Sequence, residues 1–287
     1  MKLYFTLIYL TKFNYNIRIQ INIILMKNYL YVLFLFFIIN LSAQEGNRLK
    51  LVKQVDLSVD KFLGVNVYDE LFYINKDILF KQTKSEKLSY QNNLYGNLNN
   101  VDIINYLETT LFYKDFNTVI QLDRWLGEFN KVDFIQSNIF SSIQRVSIAS
   151  NNRLWVFNDD TLQLQIYSPK LDIVVASSQP VQDKIIDCYS NYNFYWILTE
   201  TKLLQYNIYG NELNSYNLEG FDAFTHFKNS FILKKLNQLY FFSEKEKVPE
   251  LLTLPKLTIK DFSVTNETLY IYDGKELYSF KINQEKE

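Results

Sequence analysis

The sequence predicts an all-β protein, a β-propeller of six four-stranded blades that the N-terminal strand closes into a ring. The first observation is a register of 42 residues between three similar segments, which begin at Leu122, Leu164 and Tyr206. In each segment an aromatic residue follows three positions after an apolar residue, and a turn with Gly or Pro leads into a return strand. A spacing of about 40–45 residues is typical of propeller blades.

The composition is the second observation, because aromatic residues form 17% of the 287 residues whereas Gly (7) and Pro (4) are scarce. Tyr, Phe, Ile and Val favour half-buried strands, so the enrichment indicates sheet. A+T-rich codons would give the same enrichment, and both explanations stay open. A chain that is 48% hydrophobic and of this length can bury a core, which excludes a disordered protein.

Six hydrophobic clusters are the third observation, and each marks the second strand of a predicted blade. They begin at Leu71, Leu111, Leu154, Phe194, Phe231 and Leu269. The repeats are expected over residues 62–92, 101–134, 144–179, 184–218, 221–254 and 257–287. Five or seven blades remain alternatives, because the connections 92–101 and 134–144 have room for further strands.

The segment 49–57 precedes the first repeat with nothing to pair with, whereas the last repeat has no room for its outer strand. We therefore expect this N-terminal strand to complete the last blade, which removes exposed sheet edges. The propeller domain is predicted over residues 48–287.

The N-terminal region predicts export. Residues 26–43 combine a basic start at Lys27, an apolar run of 11 residues and a small-residue cleavage site at Ala43, which is the pattern of a signal peptide. The run is shorter than the ~20 residues that a transmembrane helix needs. Residues 1–25 are then an over-extended gene start. An uncleaved anchor that uses residues 3–10 or 21–39 is the alternative.

The charge balance argues against nucleic acid and anionic membranes as partners. Residues 1–43 contain four of the 30 basic residues and none of the 31 acidic ones, so the remainder has 26 against 31 and a net charge near −5. The single cysteine, Cys188, excludes an intramolecular disulfide, and no cysteine lies near the cleavage site to receive a lipid. We expect a soluble protein of the periplasm or one associated with the outer membrane.

The repeat pattern over roughly residues 48–287 resembles exported bacterial propellers of the broad YncE, NHL and quinoprotein-like type. No Trp-Asp dipeptide closes a blade, and the tryptophan-docking and Asp-box motifs of other propeller families are missing. The resemblance implies a ring with a central channel and faces built from loops. By analogy of fold, a subunit of outer-membrane assembly or secretion machinery is a plausible setting, although fold does not imply function.

Few residues suggest catalysis. His226 is the one histidine, so a His-rich metal site is excluded and a catalytic triad would have to include it. The sequence has no Gly-x-Ser-x-Gly elbow and no phosphate-binding Gly loop. We predict that the protein is not an enzyme, and we interpret His226 as a residue of the channel wall or a hydrogen-bonded strand residue.

Charged residues recur near the start of the predicted inner strands. They are Asp102, Arg145, Asp187, Asp222 and Asp261, with Phe62 in the first repeat. Equivalent positions would meet at one mouth of the channel, where carboxylates could hold Ca²⁺ or receive a basic group of a partner. No other metal or cofactor is expected. The alternative is that each aspartate caps a turn by accepting backbone N–H bonds.

The repeated aromatic residues Trp125, Tyr167 and Tyr209 are expected to pack between blades, and an exposed platform for sugars is the alternative.

The tripeptide Asp160-Thr161-Leu162 resembles the acceptor motif for bacterial O-glycosylation, with Thr161 as the modified residue. The alternative is that this segment is a polar turn.

The leading functional hypothesis is a non-enzymatic envelope scaffold that presents one face to a protein partner of the envelope. A propeller that binds glycan or peptidoglycan is the second hypothesis, and a Ca²⁺-dependent lactonase-like or carbohydrate-active enzyme is the third.

Overall fold

The computed structural model describes residues 48–137 and 142–283, which form six four-stranded antiparallel sheets arranged in a ring. The prediction of a six-bladed propeller is therefore confirmed. The predicted signal peptide and gene-start extension lie outside the described residues. No helix in the described part of the chain has the length and apolar character required to span a membrane.

The N-terminal strand is β1 (Leu49–Asp56), and it pairs with the last strand of the chain, as expected. Blade 1 consists of β2 (Lys61–Val65), β3 (Leu71–Asn75), β4 (Ile78–Gln82) and β5 (Lys87–Tyr90). Blade 2 consists of β6 (Asn100–Asp102), β7 (Glu108–Tyr113), β8 (Thr118–Asp123) and β9 (Glu128–Asp133). Blade 3 consists of β10 (Ile143–Ala149), β11 (Arg153–Asn158), β12 (Gln163–Ser168) and β13 (Ile173–Ser177).

Blade 4 consists of β14 (Ile185–Ser190), β15 (Phe194–Thr199), β16 (Lys202–Asn207) and β17 (Glu212–Asn217). Blade 5 consists of β18 (Ala223–Phe227), β19 (Ser230–Lys235), β20 (Gln238–Ser243) and β21 (Pro249–Leu251). Blade 6 consists of β22 (Asp261–Thr265), β23 (Thr268–Tyr272), β24 (Glu276–Ile282) and, as its outer strand, β1. The described helices are α1 (Phe134–Ser137) and the 3₁₀ turns Lys114–Phe116 and Ser150–Asn152.

The core lies between the blades. The described residues form six hydrophobic clusters, and each cluster joins two neighbouring blades. Between blades 3 and 4, for example, the fully buried rings of Trp155 and Tyr195 lie 5.6 Å apart. Each sheet buries both faces against its neighbours, which explains why the second and third strands are almost continuously apolar.

The closure of the ring buries residues from both ends of the domain in one cluster. Leu49 of β1 packs with Leu269, Phe280 and Ile282 of blade 6 and with Phe227 of blade 5. Because the first and last strands share this core, we expect the blades to unfold together rather than one by one.

Candidate functional site

Of the three repeated aromatic residues Trp125, Tyr167 and Tyr209, which were expected to pack between blades, only Tyr167 does so. Tyr167 is 2% exposed and packs between blades 2 and 3, whereas Trp125 is 60% and Tyr209 69% exposed. The reason is a shift of register in blade 3. Strands β8 and β16 end two residues before Trp125 and Tyr209, but β12 extends one residue beyond Tyr167.

Trp125 and Tyr209 lie in hairpins with the same conformation, and the sequence reading missed a third hairpin of this kind. In each of the three, the side-chain oxygen of the first residue accepts the N–H groups of the third and fifth residues. The fourth residue has a positive φ of 62° to 77°. The third residue is aromatic and between 59% and 69% exposed. The three hairpins are Asn66–Glu70, Asp123–Gly127 and Asn207–Asn211, with Tyr68, Trp125 and Tyr209 at the exposed position.

The Trp125 hairpin is held from several sides. Leu126 is buried in the cluster between blades 1 and 2. The Nζ of Lys81, which is 3% exposed, donates to the Arg124 carbonyl oxygen at 3.0 Å and pairs with Glu70 at 2.8 Å. The Arg124 guanidinium covers the indole ring of Trp125 at 4.6 Å. The tryptophan is therefore exposed on a rigid backbone, which lowers the entropy lost when it binds a partner.

The exposed tyrosines and tryptophan share one face of the ring. Successive hairpins of an antiparallel blade alternate between its two ends, so the first and third hairpins of every blade lie at the same end. Hydrogen bonds such as Ser150 N–H to the Tyr192 carbonyl oxygen, at 2.7 Å, join the first hairpins of adjacent blades. We call this end the aromatic face, defined by the exposed side chains of Tyr68, Tyr106, Trp125, Tyr192 and Tyr209.

The predicted charged positions do not form a single ring at one mouth. Asp102 is the last residue of β6, whereas Asp261 is the first residue of β22, so they lie toward opposite ends of parallel inner strands. Asp222 precedes β18, and its carboxylate accepts the Leu236 N–H in an exposed hairpin at 2.6 Å. Phe62 is a buried core residue. The structure brings together Asp102, Arg145 and Asp187.

Three of the aspartates link neighbouring blades, a role that sequence reasoning missed. Asp102 accepts the Ile148 N–H of blade 3 at 2.9 Å, and Asp187 accepts the Phe224 N–H of blade 5 at 3.1 Å. Asp261 accepts the N–H of Phe62 in blade 1, also at 3.1 Å. The acceptors belong to blades 2, 4 and 6. These bonds satisfy N–H groups on inner strands, where sheet pairing ends at the channel.

Arg145 is shared between two carboxylates. Its Nη1 lies 3.5 Å from Asp187, and its charge also acts on Asp102. Burial raises the pKa of both carboxyls, while their backbone N–H bonds and the charge of Arg145 act in the opposite direction. The Arg145 side chain is 36% exposed, so the ion pair with Asp187 is partly open to solvent.

His226 is stacked among aromatic rings, and Cys188 is buried next to Asp187, whose carboxylate accepts the Cys188 N–H. The imidazole of His226 stacks on Trp196 at 4.3 Å and meets Phe231 edge to face at 5.2 Å. Burial lowers its pKa to about 4, so the ring is neutral at pH 7. Burial raises the pKa of the Cys188 thiol to about 11, which leaves the thiol protonated and unreactive.

Residues 48–137 and 142–283 contain no group of three or more His, Cys, Asp or Glu side chains placed to hold a metal ion.

Thr161 is exposed in the hairpin between β11 and β12, which lies at the end opposite to the aromatic face. Its accessibility is compatible with the predicted O-glycosylation, which stays a prediction.

Two concave regions adjoin the aromatic face. A groove of about 820 Å³ lies between blades 2 and 3, and Glu108, Lys131, Lys170 and Asp172 give it charges of both signs. A second cavity of about 320 Å³ opens at the channel mouth and draws its walls from the inner strands and first hairpins of blades 1, 2, 4, 5 and 6.

Comparisons with known proteins show the fold. No protein-family model matches the sequence, and no curated protein matches it. A chain of the mitotic checkpoint complex aligns with a TM-score of 0.56 and 9% identity over 84% of this chain and 97% of that one. Virginiamycin B lyase from Staphylococcus aureus aligns with a TM-score of 0.55 and 8% identity over 82% and 100%. The Pan2 WD40 domain of Neurospora crassa aligns with a TM-score of 0.54 and 9% identity over 80% and 76%.

Proposed function

We propose that this propeller is a non-enzymatic scaffold of the cell envelope that binds a protein partner through its aromatic face. The observation that carries the proposal is the position of Tyr68, Tyr106, Trp125, Tyr192 and Tyr209, whose exposed rings all lie at one end of the ring. Tyrosine and tryptophan are enriched at protein interfaces and dominate their binding energy.

The opposite end of the ring differs in chemistry. Its exposed large apolar residues are Leu94, Phe116, Ile135, Leu162 and Leu236, which include neither Tyr nor Trp. Exposed aliphatic residues are normal on a protein surface and need no partner, and Phe116 is the one exposed ring among these residues. The contrast between the two ends supports recognition through the aromatic face.

The predicted export signal is what favours an envelope setting. The predicted signal peptide over residues 26–43 would send the domain across the inner membrane, and cleavage after Ala43 would leave Gln44 as the N-terminus. A subunit of an outer-membrane assembly or secretion machine is the specific role that we propose for such a scaffold.

The proposal is tested by affinity purification of the C-terminally tagged protein from its host, followed by mass spectrometry and N-terminal sequencing. We expect an envelope protein in stoichiometric amount and a terminus at Gln44. The Trp125→Ala/Tyr209→Ala variant should lose that protein, whereas Phe116→Ala/Leu236→Ala, at the opposite end, should retain it. Equal recovery with both double variants would contradict the proposal.

Binding of glycan is a second candidate, favoured by the exposed rings of Trp125 and Tyr209 in identical hairpins. Sugars stack on the faces of such rings. Soluble peptidoglycan fragments titrated against the protein should then bind the wild type and the Phe116→Ala variant but not Trp125→Ala. Binding of the same strength to all three proteins would exclude Trp125 as a sugar platform.

A further inference from the structure

The groove between blades 2 and 3 is lined mainly by polar side chains. Its volume of about 820 Å³ lies in the upper part of the range for ligand pockets, ~300–1,000 Å³. Four of the lining side chains end in amide groups, which offer both hydrogen-bond donors and acceptors; they are Gln121, Asn130, Gln136 and Asn152. The groove therefore suits an extended ligand that forms many hydrogen bonds.

The Gln121 side chain brings an unused donor to the groove. It is only 9% exposed, and its Oε1 accepts a hydrogen bond from the Asn130 Nδ2 at 2.6 Å. No described residue accepts a hydrogen bond from the Gln121 Nε2 or donates one to the Asn130 Oδ1. Because buried amide groups are costly to leave unpaired, a ligand that supplies both missing partners is favoured.

A comparison with the neighbouring blades explains why Gln121 faces open space. Lys81 and Gln121 are each the fourth residue of the third strand of their blade, β4 and β8. Between blades 1 and 2, Lys81 donates to the Arg124 carbonyl oxygen and Leu126 of the same hairpin is buried. Between blades 2 and 3, the equivalent hairpin follows the shifted strand β12, and its Pro169 lines the groove instead. The shift in blade 3 therefore leaves Gln121 without the contact that Lys81 makes.

An exposed aromatic ring lines the same groove. Phe129 is the extra residue of a β-bulge in β9, and its neighbours Glu128 and Asn130 pair with consecutive residues of β8. Bulges re-aim side chains, and Phe129 is 55% exposed. A ring beside amide groups suits a sugar, which has C–H groups on its faces and hydroxyl groups at its edge.

The charges of the groove nearly cancel. The Lys131 Nζ lies 3.7 Å from the Asp133 carboxylate, and Asp172 accepts the Tyr167 hydroxyl at 2.6 Å. The charged side chains that line the groove are Glu108, Asp133 and Asp172 against Lys131 and Lys170. Because neither sign is in clear excess, the groove selects a neutral ligand rather than a charged one.

We propose that this groove binds a neutral oligosaccharide, with hydroxyl groups bonded to the Gln121 and Asn130 amides and one sugar ring stacked on Phe129. An extended peptide fits less well, because it needs pockets for alternate side chains, and the aliphatic side chains of the groove are Val132 and Pro169. The site goes beyond the proposed function, because none of the five residues that define the aromatic face lines the groove.

The test titrates three neutral tetrasaccharides against the purified protein by isothermal titration calorimetry. Chitotetraose, cellotetraose and maltotetraose differ in linkage and in acetamido groups, and an uncharged Asn/Gly peptide of similar length represents the other class of ligand. We expect at least one tetrasaccharide to bind and the peptide not to bind. Absence of binding by all three sugars, or binding of the peptide alone, would overturn the proposal.

Blade 4 supplies matched controls, because it repeats the same arrangement outside the groove. Gln205 is the fourth residue of β16, and its Oε1 accepts the Asn214 Nδ2 at 2.7 Å. Leu213 is the extra residue of the bulge in β17. Neither Gln205 nor Leu213 lines the groove between blades 2 and 3.

Two pairs of variants locate the binding site. Gln121→Met and Phe129→Ala should each weaken the bound tetrasaccharide by about fivefold or more. Gln205→Met and Leu213→Ala should leave the affinity unchanged. Thermal unfolding shows whether each variant is folded, and the exposed position of Phe129 keeps its variant informative if Gln121→Met is unstable. Equal weakening within each matched pair would overturn the proposal.

Further outcomes separate this inference from the proposed function. If the sugar binds Gln121→Met and Phe129→Ala like the wild type but no longer binds Trp125→Ala, then it lies on the hairpin and the inference is overturned. The Gln121→Met variant should still recover the envelope partner that Trp125→Ala/Tyr209→Ala loses. Loss of that partner in Gln121→Met as well would contradict a separate groove site.

Discussion

Asp102 ties two blades together with a single carboxylate. One oxygen accepts the Ile104 N–H of its own blade and the other accepts the Ile148 N–H of blade 3, each at 2.9 Å. The bond from Ile148 is buried and the bond from Ile104 is partly buried, and backbone N–H groups in such positions are costly to leave unpaired.

Replacement of Asp102 by asparagine should therefore destabilise the ring. The side-chain amide of the Asp102→Asn variant would present an NH₂ group to one of the two N–H donors, so that donor loses its acceptor. We expect the free energy of unfolding in urea to fall by about 1–3 kcal/mol. Asp77→Asn is the matched control, because Asp77 is exposed in a hairpin of blade 1; an equal loss in both variants would contradict the role of Asp102.

His226 makes the stability depend on pH through burial. Its pKa falls from an ordinary 6.5 to about 4 in the folded chain, so between these values the unfolded chain binds the proton and the folded chain does not. Stability should therefore be full above about pH 6.5 and should decline as the pH falls to 4. Glu267, near His226, has its pKa lowered to about 2 by Lys228 and Lys281, and so stays ionised through this window.

The His226→Phe variant should lack this decline, because phenylalanine can occupy the stacked position on Trp196 and does not titrate. When the pH is lowered from 7 to 4, the unfolding free energy of the variant minus that of the wild type should increase by about 1–2 kcal/mol. A difference that is constant over this range would show that His226 titrates normally.

These residue roles were only partly predictable from sequence. The spacing of Asp102, Asp187 and Asp261 identified aspartates on inner strands. The capping alternative expected each aspartate to accept N–H groups of a turn, and Asp102 accepts such a bond from Ile104, but the bonds between blades were not expected. The donors were not predictable, because they belong to the next blade and their distance depends on how the ring packs. The exposure of Trp125 was missed for a related reason, since a shift in blade 3 placed it in register with the buried Tyr167.

The aromatic hairpins depend on a backbone conformation that few residues adopt. In the Asn207–Asn211 hairpin the residue with positive φ is Gly210, at 77°. A Cβ atom there would lie 2.5 Å from the Ser177 carbonyl oxygen, which belongs to the backbone of blade 3 and has little room to move.

Gly210→Ala should destabilise the protein by about 1–3 kcal/mol, through both the left-handed conformation and this contact. It should also shift the exposed Tyr209 ring. Gly127→Ala is the comparison, because Gly127 has no such φ and its added Cβ would approach the side chain of Asp123 at 3.2 Å. Thermal unfolding measures both, and an equal decrease of Tm would contradict the explanation.

Hairpins of this kind can be found in a sequence once their pattern is known. Asn or Asp at the first position, an aromatic residue at the third and a left-handed residue at the fourth occur in Asn66–Glu70, Asp123–Gly127 and Asn207–Asn211. The first of these follows an inner strand whereas the other two follow a third strand. The 42-residue register compares equivalent strands of different blades, so it could not detect the first hairpin.

The ring as a whole depends on β1. This strand comes from the N-terminal end of the domain and covers β24, with register partners from Leu49 with Ile282 to Asp56 with Glu276. Sequence reasoning found the blade number and this closure because both follow from the count and spacing of strands. It could not locate the binding surface, which arises from hairpins that are distant in the chain.

Removal of β1 should weaken every blade. A chain that begins at Ser58 leaves the β24 edge open and removes Leu49 from its cluster. Compared with a chain that begins at Gln44, we expect a loss of more than about 4 kcal/mol in unfolding free energy or aggregation through the open edge. Equal urea midpoints for the two chains would show that the ring does not need its closing strand.

The central claim is that the partner covers the aromatic face, and oxidative footprinting of the purified complex tests it most directly. Hydroxyl radicals modify exposed rings, and mass spectrometry measures the extent at each residue. In the complex, compared with the free protein, we expect strong protection of Tyr68, Trp125 and Tyr209 and unchanged modification of Phe116 and Leu236. Protection confined to Phe116 and Leu236, with the three aromatic residues unchanged, would contradict the account.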